Sequence, residues 1–429
     1  MKKLLLASLI LAAGTFEGMS QSLQRDVPFW RSYDKRGVGV FETGKVDSIP
    51  FEGLKVRIGG HFTQQFQGLS HENTSTAVIN SSNVNVNELV EIGMGTNLAT
   101  ANLNIDVELM DGVRLNLITY LSSRHHPESW VKGGYLQVDK LPFLGNPEWF
   151  EKYLTLRVGH MEINYGDAHF RRTDNGNAMY NPFVGNYIMD SFTTEVGGDL
   201  TFQKDGFLLV GGVTGGEIQG GITTPDDRSF SFIGKVGYDK QMTDDFRLRL
   251  TGSVYTTPSS ARNTLYGGDR GGSRYYLVLE NTLATTSANF TSGRINPGQT
   301  DNITALMFNP FLKYKGLEFF GTVEQSKGKA ANEANDRTWN QLAGDLVYRF
   351  GNGENFYVAA RYNKVEGTLA GSGEEVTIDR LQAGGGWFIS RNILVKAEYV
   401  NQKYDGFAPT DIRHGGKFNG LMIEGVIGF

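Results

Sequence analysis

The feature that most restricts this chain is a two-residue alternation that recurs from end to end, in segments of about ten residues. In Ala101–Leu109, the residues Ala101, Leu103, Ile105, Val107 and Leu109 alternate with Asn102, Asn104, Asp106 and Glu108. Leu54–Phe66 sets Leu54, Val56, Ile58, Phe62 and Phe66 against Lys55, Arg57, His61, Thr63 and Gln65. Period two puts one set on each face of a β-strand. Comparable segments fall at 113–121, 129–139, 153–163, 194–204, 206–215, 229–238, 245–256, 303–314, 316–326, 337–350, 354–365, 377–389, 392–402 and 418–429, although 129–139 has no clear phase. This predicts about 16 strands, each near the length a tilted strand needs to cross a bilayer.

Short connections alternate with long ones. Turns are predicted at Asp111-Gly112, Lys204-Asp205-Gly206, Lys315-Gly316, Gly351-Asn352-Gly353 and Ser390-Arg391-Asn392. Between them lie polar stretches at 69–95, 165–193, 256–302, 326–337, 365–376 and 402–417. Bacterial transmembrane β-barrels show this asymmetry, with short turns at the periplasmic end and long loops outside. An exported soluble two-sheet protein also explains alternation, but it gives no reason for the unequal ends. The fold class is therefore read as all-β, a closed antiparallel transmembrane barrel over residues 51–429.

Both ends agree with this reading. Lys2 and Lys3, the apolar run Leu4–Ala13 and the small residues near Gly18-Met19-Ser20 read as a signal peptide over 1–20, too short to span a bilayer as a helix. Residues 21–50, with Trp30, Tyr33 and Phe41, form a short lead, too small for a plug domain. The final strand stops on Phe429, resembling the terminal signal that barrel-assembly machinery reads. Outer-membrane lipid is the partner that the outward faces imply.

Composition fits. The chain has 429 residues, no Cys and 55 Gly, with 12% aromatics, and its mean hydropathy is only −0.30. A wall that faces lipid on one side and water on the other averages to such a value. A formal charge of −5 argues against nucleic acid. The polar faces carry Arg57, Arg114, Arg157, Arg247, Arg249, Arg361, Arg380 and Lys396, together with Asp106, Glu108 and Glu398. Lipid-facing Arg or Lys at the midplane costs about 2–4 kcal/mol, so these residues are assigned to a water-filled lumen. The same faces also carry Lys55, Lys235 and Arg349, and Glu195, Asp199, Glu318, Glu324, Asp345 and Glu424, so that the signs nearly balance and ion preference is not readable from them.

The third long loop, Tyr165–Thr193, is rich in charges and aromatics. Before it runs Arg157-Val158-Gly159-His160-Met161-Glu162-Ile163-Asn164-Tyr165-Gly166-Asp167, and then the pair Arg171-Arg172. This stretch resembles the bacterial outer-membrane porin superfamily and is most similar to its phosphate-selective-porin-like branch. The motif likeness covers about 155–200. It implies an inward-folded third loop, a pore constriction at Arg171, Arg172, Asp174 and Asp190, and a homotrimer. The loop lacks the dense Lys or Arg ladder that would grip phosphate. The function expected is passive diffusion of small hydrophilic solutes or ions, without enzyme activity, cofactor or metal. His125 and His126 are adjacent and have no ligand-spaced partner, and neither G-x-S-x-G nor H-E-x-x-H occurs. A non-conducting structural or adhesive barrel is the main competing reading, and an outer-membrane enzyme a lesser one. In loop 256–302, Tyr275-Tyr276-Leu277-Val278-Leu279 reads as an extra external strand or a lid.

Overall fold

The computed structural model describes residues 26–47, 49–125, 129–215, 229–260, 262–272 and 274–429. The expected signal segment 1–20 lies outside the described residues. The strands are β1 Lys55–Glu72, β2 Gly95–Thr96, β3 Thr100–Met110, β4 Val113–Ser122, β5 Trp130–Val138, β6 Leu154–Glu162, β7 Thr194–Lys204, β8 Phe207–Thr214, β9 Ser231–Thr243, β10 Phe246–Thr257, β11 Ile303–Tyr314, β12 Leu317–Gly328, β13 Arg337–Phe350, β14 Phe356–Thr368, β15 Glu375–Ser390, β16 Ile393–Asp405 and β17 Lys417–Gly428. From β3 onward each strand pairs antiparallel with the next. β1 pairs with β3 on one side and with β17 on the other, from His61↔Gly428 to Glu72↔Lys417. The ring is a closed 16-stranded barrel, with β2 a two-residue addition on β1.

The alternation sorts residues between two environments. On β13, Trp339 (1% exposed) and Val347 (0%) face inward, whereas Leu342 (54%) and Leu346 (51%) face outward. Exposed apolar residues continue around the ring through Val56, Val196, Leu306, Leu381, Tyr399 and Ile423. A soluble two-sheet protein would hide such a belt, so that alternative is excluded. At the short-turn end, outward-facing Tyr348, Phe350, Phe356 and Trp387 stack in sequence, with centroids 5.8–5.9 Å apart. Toward the long loops the outward face becomes polar at Gln325, Asn340 and Lys364. From Phe350 to Leu342 the apolar face rises roughly 20 Å along a tilted strand, comparable to the ~25 Å band of membrane barrels.

Two local departures have physical causes. The register of β5 against β4 slips between Ile118 and Thr119, so that Gly133 pairs with Ile118 and Val131 with Thr119. Lys132 is the extra residue of a β-bulge, which shifts the side-chain phase within the strand and explains why 129–139 has no readable alternation. The connection between β5 and β6 also breaks the short-turn rule. Residues 139–153 include a short helix, α1, Glu148–Tyr153.

Leu346→Arg places a charge near mid-height on the lipid side. It is expected to destabilise the barrel in bilayers by roughly 2–4 kcal/mol, measured by reversible denaturant unfolding in vesicles. An unchanged midpoint would show that this face does not contact lipid.

Candidate functional site

The interior is crossed by the chain itself. Residues 163–193 leave β6 and pack almost entirely out of solvent. On one side of the ring, Asn102 of β3 donates to Asp174 O at 2.8 Å, Thr100 Oγ1 to Asn175 O at 3.1 Å, and Asn175 Nδ2 to Ala101 O at 2.6 Å. Three strands further round the ring, past β1 and β17, Lys396 Nζ on β16 donates to the carbonyls of Ala178, Asn181 and Phe183 at 2.7–3.0 Å. Glu398 accepts from Val184 N at 2.7 Å, Ile188 N donates to Asn363 at 2.7 Å, and Arg361 donates to Gly185 O at 3.1 Å. An irregular buried backbone needs such partners, and the inward polar face supplies them.

A second connection, 258–302, turns inward beside the first. Tyr275 Oη donates to Glu398 at 2.5 Å, and Arg274 reaches Glu424 at 3.0 Å and Thr63 at 2.8 Å. Tyr275–Leu279 is therefore not an external strand but packs inside the ring. Two carboxylates tie both loops to the wall. Glu398 accepts from Val184 N and Tyr275, and Glu324 accepts from Tyr165 at 3.2 Å and Tyr266 at 2.8 Å.

The lead enters from the short-turn end. Tyr33 Oη donates to Asp106 at 2.7 Å, and Lys45 meets Asp139 at 3.1 Å. Glu42 sits 2.7 Å from Arg249, and Arg31 lies over the Tyr180 ring at 3.7 Å.

Three of the four residues assigned to a constriction come together. Arg172 grips Asp190 with two bonds of 2.8–2.9 Å and also meets Asp269 at 2.7 Å. Asp174 lies 3.7 Å from Arg172 and pairs with Lys132 and Tyr120. Arg171 stands apart, 2.5 Å from Glu318. Asp269, Arg274 and Arg294 were missed because their loop has no periodicity, and Lys132 because of its bulge.

The eleven residues assigned to pore lining lie on inward faces, and five of them are covered by the inward loops. Arg249, Arg361, Arg380, Lys396 and Glu398 are buried against the loops, each 1–2% exposed. Arg361 forms a bidentate pair with Asp345 at 2.6 and 2.8 Å, and Arg380 donates to Asn186 O. Toward the short-turn end, Arg114 pairs with Asp106, Arg247 with Asp239 at 2.7 Å, Arg57 with Asp26 at 3.5 Å, and Glu108 lies 3.9 Å from Lys55. Close pairing makes the burial of these charges tolerable. An interior cavity of about 190 Å³ lies along β3–β7. Arg114, Lys132, Tyr135, Arg157 and His160 border it from the wall, His169, Phe170 and Tyr180 from the loop, and Trp30 and Arg31 from the lead.

The fold has known counterparts. The structure is similar to an anion-selective porin from Comamonas acidovorans (TM-score 0.52, 11% identity, 88% of this chain and 100% of that one). It is also similar to the outer membrane channel DcaP of Acinetobacter baumannii (0.52, 10%, 88% and 98%). The trimer form of OmpT, an outer membrane protein of Vibrio cholerae, gives 0.50 at 11% identity, over 88% and 100%. The fold is that of outer-membrane porins. No protein-family model and no curated protein matches the sequence.

Arg361→Ala leaves Asp345 buried with only the weaker contact to Tyr187, at 3.3 Å. A loss of about 3–5 kcal/mol is expected, read as a lower unfolding midpoint and new protease cleavage within 163–193. Asp167 provides a pH test. Burial alone would raise its carboxyl, but Arg249 and Lys235 hold it well below the usual carboxylate range. A depressed carboxylate stabilises above its unfolded pKa of about 3.9 and loses that contribution as pH falls through the folded value. The part of the loop's protease resistance that Asp167→Asn removes is therefore expected to be level from pH 8 to about pH 5 and to fall only in stronger acid.

Proposed function

We propose that this chain is an outer-membrane channel of porin type, giving small hydrophilic solutes or ions a passive route narrowed by loop 163–193. The observation that carries this reading is the polar cavity of about 190 Å³ left between that loop and β3–β7, inside a ring whose outer face suits lipid. Arg114 and Arg157 are the sequence-assigned lining residues that border it. Arg172, Asp174 and Asp190 brace the loop from within, and the lead narrows the other end. The fold likeness to an anion-selective porin and a channel supports the class of function. The motif likeness over 157–172 supports the superfamily. The proposal includes export by a cleaved signal at 1–20, recognition of Phe429 by the assembly machinery, and a homotrimer, for which the trimer form of one similar barrel is the precedent.

Single-channel recording of the refolded protein in planar bilayers tests this. Small, stable steps are expected, well below those of an unobstructed bore of this size. Deleting residues 26–47 is expected to enlarge them, and chemical cross-linking is expected to trap trimers. A folded barrel that conducts under no salt or voltage would favour a structural barrel instead, a reading that the dense bonding of both inward loops supports.

A further inference from the structure

The connection between β5 and β6 is where the short-turn end departs from its own rule, and its packing is unusual. Phe150 of α1 is buried against Val113 and Val138, with Leu136, Leu154 and Leu156 beside it. By strand alternation Val113 lies opposite inward-facing Arg114, and Val138 opposite inward-facing Gln137. The helix is therefore folded onto the outer surface of the wall, not beneath the lumen. Lys140 fixes it there, bridging Asp111 of the β3–β4 turn at 3.1 Å and Glu151 of the helix at 3.2 Å.

Beyond this seat the segment presents three large apolar side chains to the outside. Phe143, Leu144 and Trp149 are 62%, 68% and 60% exposed. They continue the aromatic belt of the same end, since Tyr153 at the helix terminus packs on outward-facing Phe202 with centroids 5.9 Å apart. Glu148 and Lys152 pair with each other on the exposed face of the helix.

We propose that residues 139–153 form an interfacial foot, inserted at the headgroup–acyl boundary of the periplasmic leaflet beside β4–β6. Phe143, Leu144 and Trp149 enter the lipid, and the Glu148–Lys152 pair stays at the water side. The features that favour lipid over a second copy of the chain are three. The apolar patch is small for a stable protein interface. It is continuous with the lipid belt. It centres on a Trp, the residue type that collects at membrane interfaces. The foot rests on the barrel being embedded in a membrane and is independent of conduction.

The test compares the refolded barrel with Trp149→Phe in phosphatidylcholine vesicles, the difference isolating Trp149 from the other tryptophans. Its emission is expected to be quenched strongly by lipids brominated high on the acyl chains, weakly by lipids brominated near the chain ends, and little by aqueous iodide. Strong iodide quenching without bromine quenching would overturn the proposal. So would protection from both quenchers that grows with protein-to-lipid ratio, which would mark a contact between copies. The chain has no Cys, so Phe143→Cys carrying a spin label gives a second measure. A depth at the headgroup boundary supports the foot, and a label in bulk water refutes it. Neither readout depends on channel activity, so a non-conducting barrel leaves the test intact.

Discussion

Closure of the hydrogen-bond ladder between β1 and β17 is the constraint on which the rest depends. Hydrocarbon offers no partner to a backbone N–H or C=O, so a sheet can sit in it only if no edge is left open. Once the ring is closed, each strand has one face toward lipid and one toward a confined interior, and period-two patterning follows along its membrane-spanning part. The same closure isolates the inward polar face from bulk solvent at mid-height. The charges there must find partners within the molecule or in trapped water.

That requirement explains the interior. A ring of 16 strands is wide enough for water, yet Arg361, Arg380, Lys396 and Glu398 spend their hydrogen bonds on loop backbone and on neighbouring carboxylates or amides. Each charged side chain satisfies an irregular segment that would otherwise carry unpaired peptide groups. Wall and filling are therefore complementary. The loops need the charges as much as the charges need partners, and an open volume remains along β3–β7 between wall, loop and lead.

Much of this was legible in the sequence. All the barrel strands stood at the expected places, because lipid on one side writes a strong apolar alternation. Legibility failed where that cause stops. β1 continues through Gln67, Gly68, Leu69 and Ser70 to Glu72, where the outward face has risen above the apolar band and no longer needs hydrophobic residues. β5 was unreadable because one bulged residue inverts its phase. Inside, the sequence distinguished inward from outward but not wet from dry. The partner of Lys396 is a run of carbonyls in a distant loop, and no local pattern announces it. The cluster of Arg172, Asp190 and Asp269 likewise joins two loops that have no periodicity.

The bonds from Lys396 to the third loop also bear on how the molecule comes together. They join residues 213–218 positions apart, and Lys396 lies in the last hairpin of the chain. Loops held by such distant contacts form late, since the cost of joining the ends must be met first. The final two strands therefore complete the wall and clamp its contents in one event. A barrel assembled this way is not first sealed and then filled, and its last hairpin settles against the third loop as well as against β1 and β15.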